Sequence, residues 1–248
     1  MYRPIYYNII NYPMIDFEKF HLSRNPYGRS AMDDYLRKTT DLMSPYVLEE
    51  RKLNVQPLDI VSRLLYERIV WLGTEVNDES ANLIISQLLY LDSMDQSQPI
   101  TININSPGGS CSSGLGIYDT MQNLESKTHS VGIGLCASFG AVILCAADHR
   151  SALHHSSIMI HQPRIMGHGI TGTGTDIEIE ALEMQKTKKL LTEILAKHSK
   201  VSYDVIHDLC ERDKWLTAEE ARDEVGLIDE VIYNKDRSDK RWKKEEGA

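Results

Sequence analysis

The sequence predicts an α/β fold with a largely parallel sheet, on three observations. From Leu58 onward, short apolar runs bounded by turn residues alternate with segments of 3.6-residue apolar period. Single helices separate most of the strand-like runs, the pattern of right-handed crossovers between parallel neighbours. The chain has 248 residues, 42% hydrophobic and 25% charged, enough for one sizeable domain with appendages.

Residues 1–43 are rich in Tyr and Asn with scattered Pro, show no sustained period, and read as a flexible leader or propeptide. Residues 44–233 are assigned to the folded domain. Leu58, Val61, Leu64 and Leu65 mark a first helix behind Pro57, a favourable first-turn residue. Residues 69–72 form a buried strand, and Ala81, Ile84, Ile85, Leu88 and Leu91 line one face of a second helix.

A strand over 100–105, a glycine-broken loop over 106–109, a helix over 112–122 and a strand over 129–136 continue the alternation. An apolar helix follows Ser138, then short strands over 150–153 and 157–160 and a glycine-rich run over 167–174. A long helix over 176–197 carries Leu182, Leu190, Leu191, Ile194 and Leu195 among lysines, and its length suggests projection from the globule. Residues 234–248 are too polar to offset their ordering entropy and read as a charged tail.

Lys and Arg number 27 against 36 Asp and Glu, a formal charge of −9 with no basic stripe, so a nucleic-acid partner is not expected. No run approaches the ~18 apolar residues of a membrane span, and no secretory signal opens the chain, so no membrane is expected and the expected location is cytoplasmic. Cys111, Cys136, Cys145 and Cys210 form no CxxC and read as buried reduced thiols. His154 and His155 are adjacent, which puts their side chains in different directions along a strand or turn; neither a metal nor a cofactor is expected.

Four features carry chemistry in combination. Ser138 lies where a β-rich run turns into a small-residue helix, a place whose free N–H groups favour an oxyanion, although Cys136 holds the first glycine position of a GxSxG motif. A plain serine helix cap would look the same. His161 ends an apolar strand just before Pro163, where active-site groups of open sheets collect. Asp213 alone reads as a surface carboxylate. The loop Asn105 to Ser110 offers close backbone approach and free N–H groups, without the Lys of a Walker motif.

In order, Asn105-Ser-Pro-Gly-Gly, Ile117-Tyr-Asp-Thr-Met-Gln122, Ala137-Ser-Phe-Gly-Ala141, Met159-Ile-His-Gln-Pro163, Thr175-Asp-Ile-Glu-Ile179 and Glu211-Arg-Asp-Lys-Trp-Leu216 resemble the Clp protease proteolytic subunits (ClpP). The likeness runs from about Pro45 to Ile232. It implies a ClpP/crotonase-like spiral of βαβ units with a protruding handle helix, and two stacked heptameric rings of ClpP-type subunits enclosing a chamber. It also implies an AAA+ unfoldase ATPase as partner and unfolded polypeptide as substrate. Under the resemblance Ser138 is nucleophile, His161 base and Asp213 the third triad member, with the backbone N–H groups of Gly109 and Phe139 as oxyanion hole.

Thr101, Asn103, Asn123 and Ser151 stand where the family places aromatic residues of the ATPase-docking pocket. Burying an apolar loop against these polar groups would weaken docking. Two other readings are a weakly active structural subunit of a mixed barrel, and a crotonase-type acyl-CoA enzyme for which the Ser, His and Asp set would be superfluous.

Overall fold

The computed structural model describes residues 46–51, 54–165 and 172–233; the leader over 1–43, the glycine-rich run up to residue 171 and the tail over 234–248 lie outside the described residues. The chain divides into two compact units, Met1–Glu67 and Arg68–Ala248. In the first, strands β1 (Tyr46–Arg51) and β2 (Asn54–Asp59) pair antiparallel, with Tyr46 opposite Asp59 and Arg51 opposite Asn54. Helix α1 (Ile60–Tyr66) follows, and the Asp59 carboxylate caps it by accepting from the Ser62 N–H at 2.9 Å.

The helix therefore begins later than expected, and Pro57 lies in β2 opposite Leu48 rather than in the first turn. Asp59 supplies the acceptor that the first turn's orphan N–H groups require, which proline does not have.

In the second unit β3 (Ile69–Leu72), β4 (Ile100–Ser106), β5 (Thr128–Ala137), β6 (His149–Leu153) and β9 (Glu230–Ile232) are neighbours in that order, all parallel. On β4, Ile100, Ile102 and Ile104 are fully buried and alternate with the more exposed Thr101, Asn103 and Asn105, the period-2 signature of a sheet. Helix α2 (Asp78–Met94) buries Ala81, Ile84, Leu88 and Leu91, spaced along one helical face. It packs against α3 (Cys111–Asn123).

The register between β4 and β5 shifts, from Ile104 opposite Gly132 to Ser106 opposite Cys136. Gly134, at φ +78°, allows the bulge, and Asn105 Oδ1 holds it by accepting from the Leu135 N–H at 3.1 Å. Beyond the bulge β5 leaves β6 and pairs in parallel with β7 (Ser157–Ile160). Strand β8 (Lys214–Thr217) then adds antiparallel to β7. One bulge thus splits the sheet, and it aims the end of β5 at the end of β7.

Helix α4 (Phe139–Cys145) is buried at every residue. Helix α5 (Gly174–Lys197) starts on a capping box between Thr173 and Asp176 and buries only Leu191, Thr192, Ile194 and Leu195. Ile177, Ile179 and Leu182, toward its start, are exposed, as expected of a helix that projects. Helix α6 (Tyr203–Cys210), the short α7 (Ala218–Glu220) with its π-helical continuation Ala221–Val225, and strands β8 and β9 have no counterpart in the sequence reading.

Two surface expectations are corrected. Ser151 is fully buried, its Oγ 2.9 Å from His129 Nε2 and donating to the Ser130 carbonyl at 3.3 Å, because it sits at an inward position of β6. His154 and His155 do not point apart: their ring centroids are 4.3 Å from one another, because the tight turn between β6 and β7 brings both rings to the same side. No group of three or more His, Cys, Asp or Glu suited to a metal occurs among the described residues.

The end of α5 is tied to α3 through His198, whose Nε2 lies 3.0 Å from Tyr118 Oη. Burial, then the charges of Lys197 and Arg150, pushes the His198 imidazole down to about 4 from 6.5. The unfolded chain therefore binds the extra proton between those values, so the stability held by neutral His198 is complete above 6.5 and lost as pH falls toward 4. After discounting for its half-exposure, the loss is on the order of 1–2 kcal/mol. Thermal midpoints followed across that window should fall more steeply for the wild type than for His198→Gln; parallel slopes would acquit His198.

Candidate active site

Strand register builds the site. Ala137 of β5 stands beside Met159 of β7, and Ile160 of β7 stands opposite Lys214 of β8. Ser138 is the residue after β5, His161 the residue after β7, and Asp213 the residue before β8. Three strand ends meeting at one edge therefore bring together residues separated by up to 75 positions, 213 minus 138. The three expected side chains converge: His161 Nε2 is 2.8 Å from Ser138 Oγ, and His161 Nδ1 is 3.0 Å from Asp213 Oδ1.

Ser138 adopts φ 54° and ψ −121°, a conformation unusual for a residue with a Cβ and costing roughly 1–3 kcal/mol. Although it precedes α4, its side chain makes no capping hydrogen bond, so the plain cap reading does not describe it. Its backbone N–H donates instead to the Met159 carbonyl at 2.8 Å, which locks the turn to β7 and turns Oγ toward the imidazole.

The loop Asn105 to Ser110 closes the other side. Ser106 Oγ donates to the Thr74 carbonyl at 2.6 Å and accepts from the Gly108 N–H at 3.1 Å. Gly108, at φ +84°, passes so close to the nucleophile turn that a Cβ there would lie 2.7 Å from both Phe139 N and Ser138 Cβ. Gly109 forms a parallel bridge with Val76: Val76 N–H donates to the Gly108 carbonyl, and Ser110 N–H donates to the Val76 carbonyl, each at 2.8 Å. That ladder passes over the Gly109 N–H. Phe139, first residue of α4, has no carbonyl one turn behind it to accept its N–H.

His161 is nearly buried, with 10% of its side chain exposed, whereas Asp213 is 43% exposed. The Asp213 carboxyl is held below its ordinary value mainly by the hydrogen bond with His161, with the hydrogen bond and charge of Arg164 adding to it. Arg164 was not foreseen, although it follows His161 by only three positions. Its Nη2 lies 2.7 Å from His161 Nδ1 and donates to both Asp213 oxygens, at 3.1 and 3.2 Å.

A cavity beside Ser138 and His161 is walled by Cys111, Phe139, Val142, Ile160, Pro163, Leu191 and Leu195. The apolar positions late in α5 thus have two roles, core and cavity wall. Burial raises the Cys111 thiol above its ordinary value, which keeps it protonated and a poor nucleophile. The other cysteines are buried free thiols, as expected, with Cys136 and Cys145 pushed up to about 12. A larger open cleft of about 460 Å³, lined by His154, Trp215 and Glu219 among others, contains none of the three converging residues. No described helix is long and apolar enough to cross a membrane.

Residues 52–235 match the protein family described as Clp protease. The chain is 48% identical over 224 residues to an "ATP-dependent Clp protease proteolytic subunit" of Bacteroides fragilis, covering 90% of this chain and 100% of that protein. A protein of the same name from Porphyromonas gingivalis is 42% identical over 221 residues, 88% and 98% of the two chains. The "ATP-dependent Clp protease proteolytic subunit 1" of Salinibacter ruber is 48% identical over 190 residues, 76% and 80%.

Proposed function

The chain belongs to the Clp protease family, whose members are serine peptidases, and from that premise we propose that Ser138, His161 and Asp213 perform its peptide hydrolysis. His161 Nε2 takes the Ser138 hydroxyl proton as Oγ attacks the peptide carbonyl carbon. The carbonyl oxygen, now an anion, is met by the N–H groups of Gly109 and Phe139. The imidazolium passes its proton to the leaving amine, and the C–N bond breaks. Water, deprotonated by the same nitrogen, then hydrolyses the acyl ester and restores Ser138. Asp213 holds the ring tautomer and balances the cation. The observation that supports this most is the placing of Ser138 Oγ and Asp213 Oδ1 at hydrogen-bonding distance from opposite nitrogens of His161.

Val142, Ile160, Leu191 and Leu195 give the space beside the cleaved bond apolar walls. As a proteolytic subunit the protein assembles with other subunits and works with an ATPase. The finer proposal is two stacked heptameric rings, cytoplasmic, whose chamber receives unfolded polypeptide from an AAA+ ATPase, with residues 44–233 as the peptidase domain and 1–43 as the leader. Thr101, Asn103 and Asn123 remain partly or fully exposed polar groups, which fits weak ATPase docking and a place in a mixed barrel.

Treatment with a fluorophosphonate, followed by peptide mass mapping, tests the nucleophile. The expected adduct is on Ser138 alone. An adduct on another residue, or none in fully assembled protein, would remove the assignment.

A further inference from the structure

Arg164 places a cation against both the base and its carboxylate, where it competes with the chemistry. A guanidinium has donors and no acceptor, so the 2.7 Å contact between Arg164 Nη2 and His161 Nδ1 is a hydrogen bond only while Nδ1 bears no proton. A neutral imidazole carries one proton, which must then sit on Nε2 and donate to Ser138 Oγ at 2.8 Å. In that tautomer no ring lone pair faces the serine hydroxyl. The tautomer able to accept the serine proton has its hydrogen on Nδ1, donated to Asp213 Oδ1 at 3.0 Å, and Arg164 must then leave Nδ1.

We propose that Arg164 is a positioning residue that restrains the peptidase, holding His161 in the tautomer protonated on Nε2 until its guanidinium withdraws from Nδ1. The inference rests on the reading of Ser138 as nucleophile and His161 as base. Two observations and one charge argument favour restraint over support. The Arg164 contact to Nδ1, at 2.7 Å, is shorter than that of Asp213, at 3.0 Å. The same nitrogen donates to both Asp213 oxygens, drawing on the negative charge that would otherwise balance an imidazolium. Once the ring becomes a cation in the reaction, a guanidinium at this distance repels it.

Withdrawal needs little rearrangement. Arg164 is 52% exposed and can keep its bonds to the carboxylate while giving up Nδ1. Among the described residues, the titratable and polar groups placed against the imidazole are Ser138 from the turn after β5, Asp213 from the residue before β8, Arg164 from its own loop, and the protonated Cys111 thiol across the cavity. None of these others is a cation, so among the described residues removing Arg164 leaves Asp213 as the charged group at the ring.

The test compares wild type with Arg164→Leu and Arg164→Lys as assembled protein, using a short fluorogenic peptide and 15N-histidine spectra in which the His161 ring is identified by its loss in His161→Gln. If about nine sites in ten rest in the restrained tautomer, Arg164→Leu raises kcat by about tenfold with KM unchanged. Its ring proton moves from Nε2 to Nδ1, while Arg164→Lys, which keeps a cationic donor, stays closer to wild type in both readings. A wild-type ring already protonated on Nδ1, or a kcat that is unchanged or lower in Arg164→Leu, overturns the proposal. Hydrolysis that survives Ser138→Ala would instead overturn the nucleophile assignment, and the spectra would still decide what Arg164 does to the ring.

Discussion

Ser138→Ala lowers kcat for a short fluorogenic peptide by at least about 10⁴-fold, leaving assembly size and thermal midpoint close to wild type. The size of the loss follows from the role proposed for Oγ: without it no acyl ester forms, and only the residual effect of binding and oxyanion stabilisation remains. The structure explains why folding should tolerate the change. Ser138 Oγ makes no capping bond, and the backbone N–H that fixes the turn donates to the Met159 carbonyl whatever the side chain is. The strained φ of 54° is borne equally by serine and alanine. Hydrolysis within tenfold of wild type would mean that another group attacks the peptide.

Gly109→Ala should lower kcat by about 10²- to 10³-fold, the cost typical of losing one oxyanion donor. A Cβ at residue 109 would lie 2.1 Å from the Val76 carbonyl oxygen and 3.0 Å from Glu75 Cγ, and φ +151° is in any case unfavourable for a residue with a side chain. The backbone atom it meets cannot rotate away. Relief requires the loop to lift off Val76, breaking the two 2.8 Å bonds of the bridge and carrying the Gly109 N–H away from Ser138. The fluorophosphonate adduct should still form on Ser138, only slowly, because the nucleophile and base are untouched. Wild-type kcat in Gly109→Ala would assign the oxyanion to other donors.

Much of this site was legible because its members sit at places that sequence punctuates. Ser138 lies where an apolar run passes into small residues, His161 where one stops before Pro163, and Gly108 and Gly109 in a loop that needs positive φ. Asp213 carries no such mark. Its standing came from the resemblance, and its position comes from the antiparallel register of β7 and β8, an edge strand of four residues with no clear local period. Strand β9, three residues long, is likewise a strand only because β6 offers it a parallel edge.

By itself the sequence determined the alternation of strands and helices, the glycine positions that permit close backbone approach, and the order of residue types that marks a serine peptidase of this family. These are local properties, set by side-chain period, by the φ range of each residue and by covalent order. The tertiary structure alone decided the bulge that turns β5 from β6 toward β7, the burial of Ser151, and the meeting of three strand ends. It also decided that Arg164 reaches the His161 ring nitrogen opposite the serine. Each depends on distances between residues far apart in the chain or on the path of a turn, and hydrogen-bond geometry is defined by those distances rather than by composition or spacing.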